Sequence, residues 1–138
     1  MTLRAETKAR ARALQLLYAW ELQQRRSIRA IADELAGNDP RSIDTLERGS
    51  ALAEAVTQHV EALDEEISRA AVNWRLDRIG IVERNILRLG VHELESESVP
   101  PRVAINEAVQ LAHWFAGSKA PAFVNGVLDA IAHQFGRL

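Results

Sequence analysis

The chain has 138 residues, 47% hydrophobic and 26% charged, with 17 basic against 19 acidic side chains and a net charge of −2. This is ordinary globular material for one compact protein, and its overall field does not attract nucleic acid, so any such attraction must come from local clusters. The absence of cysteine excludes disulfides and thiolate metal sites, and the absence of a long apolar run or signal-peptide pattern makes a cytoplasmic protein without a membrane segment the expectation.

Apolar residues recur at helical spacing and no period-two segment is sustained, which predicts an all-α fold. About seven helices are expected in two small sub-bundles, residues 1–73 and 74–138. The first helix is expected from about Arg4 to Gln24. Ala9, Ala13, Leu16, Leu17 and Trp20 share its core face, and Leu14, Tyr18 and Leu22 form a second apolar stripe roughly opposite. A short helix from Ile28 to Ala36 ends at Gly37-Asn38-Asp39-Pro40. One long helix is then expected from Ile43 to Val72, capped by Ser42 or Asp44. Its seam would be Leu46, Gly49, Leu52, Val56, Val60, Leu63, Ile67 and Ala70. Asn73 and Trp74 suggest a break, and the sub-bundle boundary is placed there. A turn at Leu76–Ile79 leads to a helix from Ile81 to Leu94. The SESVPP connector, a helix from Val103 to Phe115, the AGSKAP loop and a last helix from Ala122 to Gln134 complete the chain.

Three features stand out as surface chemistry. Arg4, Lys8 and Arg12 fall on one face of the first helix, with Arg10 on the other border of its core stripe. They form either a grip for a nucleic-acid backbone or a solvated helix end diluted by Glu6. Tyr18 lies away from the core stripe, and Glu83 sits in the apolar arc of Ile79, Val82, Ile86 and Leu87. Each is either packed within the fold or presented to a partner. Phe123, just after Lys119, is either a core ring or a stacking surface for an unpaired base. Asn106 and Asn125 read as buried structural amides, and Gly90 and Gly126 as points of close helix contact. No metal-ligand spacing, phosphate loop or nucleophile elbow is present, so neither catalysis nor a cofactor is expected.

Three segments, KARARALQLLYAWEL (8–22), RVAINEAVQLA (102–112) and FVNGVLDAIA (123–132), resemble in order and spacing the NusB family of transcription antitermination factors. The resemblance runs from about Lys8 to Ala132. It implies binding of a boxA-type single-stranded RNA together with ribosomal protein NusE, within a complex on RNA polymerase that transcribes ribosomal RNA. It implies RNA contacts by Arg4, Lys8, Arg10, Arg12, Lys119 and Phe123, and NusE contacts by Tyr18, Leu22 and Glu83. The chain departs from the family at Glu6, Thr7 and Ala122, positions that are often basic in it. Some family members form homodimers and others are monomers, and both states stay open. So do two other readings: an RNA-targeting domain like the N-terminal module of rRNA cytosine methyltransferases, and a helical adaptor without RNA binding. The end of the chain at Leu138 leaves no room for a cofactor domain, which favours the free-standing factor.

Overall fold

The computed structural model of the protein describes residues 4–37 and 40–138, and among them there are seven α-helices and no strand. The chain forms two compact units, one ending at Gln58 and the other running from His59 to Leu138.

The first unit holds α1 (Ala5–Leu22), α2 (Ile28–Leu35) and α3 (Pro40–Gln58). The expected core face of α1 is buried, and so is Leu14 at the head of the second stripe. Helices α1 and α3 cross at Gly49, where a Cβ would lie 2.7 Å from the Cβ of Arg12 and 3.0 Å from the carbonyl oxygen of Ala9. Only glycine admits this approach without displacing backbone. Helix α1 ends through Gln24 and Arg25, both left-handed at φ 55° and 60°. The N–H of Arg25 closes on the Trp20 carbonyl at 2.8 Å, and the Arg25 guanidinium lies 4.5 Å from the Trp20 ring centroid. That cation–π contact offsets part of the strain of non-glycine residues in this region. Ser27 caps α2 by accepting from the N–H of Ala30.

The second unit holds α4 (Val60–Ala70), a 3₁₀ turn (Leu76–Arg78), α5 (Ile81–Glu95), α6 (Pro101–Phe115) and α7 (Ala120–Gln134). Helix α5 is the centre, packed by α4, α6 and α7. Its buried residues run without interruption from Asn85 to Val91, so the polar ones among them need partners. The Arg88 side chain, 2% exposed, forks onto Asp64 of α4 through Nε–Oδ1 at 2.7 Å and Nη2–Oδ2 at 2.9 Å. Its Nη1 donates to Asn85 Oδ1 at 3.0 Å, and Asn85 Nδ2 donates to the Ile81 carbonyl at 2.9 Å. Helix α7 approaches α5 at Gly90, where a Cβ would lie 2.6 Å from Leu128 Cδ1. Arg137 closes the unit by donating to the carbonyls of Leu94, Ser96 and Val99, which holds the SESVPP connector against the end of α5.

Several expectations need correction. The long helix from Ile43 to Val72 does not exist, because the chain leaves helical geometry at His59 (φ −123°, ψ 19°). A single-residue break leaves the three- and four-residue spacing intact, which is why the pattern hid it. The boundary expected near residue 73 accordingly falls at Gln58–His59. Helix α3 starts at Pro40, so Ser42 and Asp44 lie inside it, and Asp44 pairs with Arg48 at 3.2 Å. The middle of the expected stop after α2, Asn38 and Asp39, lies outside the described residues. Helices α6 and α7 each start two residues early, at Pro101 and Ala120. Gly126 is exposed, with nothing within 4 Å of where a Cβ would stand, and Asn106 and Asn125 are exposed too. The buried stripe of α7 is Val124, Val127, Leu128 and Ile131, which leaves residues 125 and 126 on its outer side.

Two outcomes follow for stability. Gly126→Ala should stabilise by about 1 kcal/mol, since it removes a helix-interior glycine without a clash. Gly90→Ala should destabilise by about 1–3 kcal/mol, because the Leu128 it meets is fully buried and has nowhere to move. Denaturant midpoints of the two variants should therefore shift in opposite directions. For the ion pair, Asp64→Ala should cost about 3 kcal/mol or more, because it strands a buried guanidinium. Arg88→Met should cost less, since Met fills the space and Asp64, 21% exposed, still reaches water. Chemical denaturation of the two variants checks that order.

Candidate nucleic-acid and partner surfaces

Helix α1 carries the basic line. Arg4 is its exposed N-cap residue and Lys8 is exposed one turn on. Arg12 follows at the next turn, its stem over Gly49 and its Nη1 donating to Gln15 Oε1 at 2.8 Å. Steps of four residues keep all three on one side. Arg10 does not join them. It is 7% exposed and engaged within the fold, one turn before buried Leu14 and two before buried Leu17. The cluster at the surface is thus Arg4, Lys8 and Arg12.

Tyr18 and Leu22 stand one turn apart on α1, 42% and 56% exposed. With Leu14 buried, they are what remains of the second apolar stripe. Glu83, in the other unit, is half-buried at the third position of α5, and its carboxylate lies over Gly80, the N-cap residue. There it meets the positive end of the helix, which favours a carboxylate. The absence of a side chain on Gly80 makes room for it. This local role accounts for an acid inside the apolar arc.

Lys119 is the exposed N-cap residue of α7, and Phe123 lies one turn beyond it, half-buried. Its ring meets Trp74 with centroids 5.6 Å apart and planes at 66°. Trp74 is 57% exposed. The sequence marked Trp74 only as a break; a large aromatic in a short polar connector was the available sign that it serves a surface. Its segment is tied down at both ends. The Trp74 N–H bonds the Ala71 carbonyl at 2.9 Å, and Arg84 Nη1 donates to the Leu76 and Ile79 carbonyls at 3.3 and 3.0 Å.

Among the described residues no group of three His, Cys, Asp or Glu is placed to hold a metal ion, and no helix is long and apolar enough to cross a membrane. Burial pushes the His92 imidazole below its usual pKa, against the opposing pull of Glu93 and Glu95.

A family model described as the NusB family matches residues 7–133. The chain belongs to the NusB family. It is 41% identical over 126 residues to the transcription antitermination protein NusB of Anaeromyxobacter dehalogenans (strain 2CP-1 / ATCC BAA-258), an alignment that covers 91% of this chain and 89% of that protein. Its fold is similar to that of T. maritima NusB, with a TM-score of 0.82 and 28% identity over 97% of this chain and 94% of the other. It is similar as well to a chain in the crystal structure of antitermination factors NusB and NusE in complex with dsRNA. That match has a TM-score of 0.76 and 33% identity, and covers 96% of this chain and 99% of the other.

The environments of Tyr18 and Glu83 generate a contrast. Tyr18→Ala, at an exposed position, should change folding stability by less than about 0.5 kcal/mol. Glu83→Ala should cost about 0.3–1 kcal/mol through the lost interaction with the helix terminus. Thermal or urea denaturation distinguishes them, and a large loss for Tyr18→Ala would make that ring part of the core.

Proposed function

We propose that the chain is a non-catalytic, cytoplasmic transcription antitermination factor that binds boxA-type single-stranded RNA together with NusE and joins a complex on RNA polymerase. The observation that carries this reading is the likeness, across nearly the full length of both chains, to a structure of antitermination factors NusB and NusE in complex with dsRNA. The surface chemistry supports it. Arg4, Lys8 and Arg12 offer phosphate contacts from one side of α1, and Lys119 and Phe123 offer a cation and a ring from α7. Tyr18 and Leu22 are an apolar pair suited to a protein partner such as NusE. Glu83 is the weakest member of the partner set, since α5 itself uses its carboxylate. A net charge of −2 means that RNA affinity alone is modest, and a second RNA-binding subunit raises it through effective concentration.

The test is binding of a boxA-like single-stranded RNA, with and without NusE, across a salt series. Each phosphate contact on a single strand adds about 0.7 to the slope of log affinity against log salt. Replacing Lys8 and Arg12 together by Ala should weaken binding and flatten that slope by about 1.4. Tyr18→Ala should weaken the NusE complex by about 2 kcal/mol and leave direct RNA binding unchanged. Absence of RNA binding both with and without NusE would sink the reading.

A further inference from the structure

The pairing of Trp74 with Phe123 carries an inference that deepens this reading and rests on it. Phe123 is half-buried, and part of its ring surface is already spent on the indole. Planes at 66° cannot both lie parallel to the same nucleobase. Phe123 covers at most one face of the indole, and Trp74 is 57% exposed. We propose that Trp74 is a base-stacking residue: its open face receives one unpaired nucleobase of the RNA, and Phe123 is the buttress that holds the indole in place.

Three observations commit the site to RNA. The indole is preorganised, because its backbone is bonded to Ala71 and the turn that follows is pinned by Arg84. A stacking residue that is already held loses little freedom on binding. Cations belong to the same short segments. Arg75 and Arg78 are exposed in the connector, and Lys119 is exposed one turn before Phe123. The Arg75–Asp77 pair, at 3.1 Å with both side chains about two-thirds exposed, is a surface pair of little net worth, so Arg75 can exchange Asp77 for a phosphate. Val72 is exposed two residues before Trp74, which makes a protein face the competing occupant. Exposed cations in the same two short segments as an exposed indole favour a strand of alternating base and phosphate over an apolar protein patch.

The experiment uses the full chain with a boxA-like single-stranded RNA, in the presence and absence of NusE. Trp74→Ala should weaken RNA binding about tenfold, Trp74→Phe should restore most of that loss, and the salt slope should stay unchanged because no phosphate contact is removed. RNA should quench the tryptophan fluorescence of Trp114→Phe but not that of Trp74→Phe/Trp114→Phe, in which Trp20 is the remaining indole, and inorganic polyphosphate should quench neither. RNA affinity unaltered in Trp74→Ala, or a loss confined to NusE affinity, would overturn the assignment. RNA affinity as low in Trp74→Phe as in Trp74→Ala would overturn it too, since a second aromatic ring there should still stack. Failure of the unsubstituted protein to bind RNA under either condition would instead remove the parent reading.

Discussion

A guanidinium enclosed in a protein interior must find fixed partners, because an uncompensated charge there costs several kcal/mol. Arg88 imposes that requirement on the second unit. Its fork onto Asp64 dictates where α4 lies against α5, and its remaining donor reaches Asn85, whose own amide is bonded to the turn before it. The pair is directional in a way that apolar contacts are not. Leucines at the same positions would tolerate a slide of one helix along the other, whereas a bidentate fork tolerates very little.

The remaining helices of that unit arrange around the axis so defined. Helix α5 is buried on every side from Asn85 to Val91, so that stretch is wrapped rather than laid on a surface. Gly90 lets α7 in, and Arg137 binds the connector back onto the end of α5. The functional consequence lies at the other end of these contacts. Trp74 follows α4 and Phe123 begins α7, so the two rings meet because two helices that hold them are seated on the same central one. The aromatic pair is a product of core packing expressed at the surface.

In the first unit the same logic sorts the cations of α1. Close approach of α3 at Gly49 draws the stem of Arg12 into the crossing yet leaves its guanidinium at the surface, bonded to Gln15. Arg10 is drawn inside altogether. Four basic residues in a short stretch thus become a line of three, spaced by single helical turns. A thin line on an acidic protein gives weak attraction on its own, in keeping with the proposal that RNA is shared with a partner.

Periodicity alone determined the all-α class, the core face of α1, the span of α5, the place of Gly49 on a packing seam and the sense that Gly90 is a point of close contact, because helical spacing and glycine's lack of a Cβ are local properties. The family resemblance supplied roles for the candidate residues, of which Tyr18, Leu22, Lys8 and Lys119 stand exposed. The tertiary structure alone decided the rest. The break at His59 was invisible because one non-helical residue does not reset the spacing of its neighbours. Gly126 and Asn125 face outward because the stripe that α7 buries is set by its neighbours, chiefly α6 with α5 and α4. Arg88 finds Asp64 from 24 residues away, and Trp74 finds Phe123 across two further helices. Such pairings are properties of packing, since a one-dimensional pattern says that a side chain needs a partner but not which element supplies it.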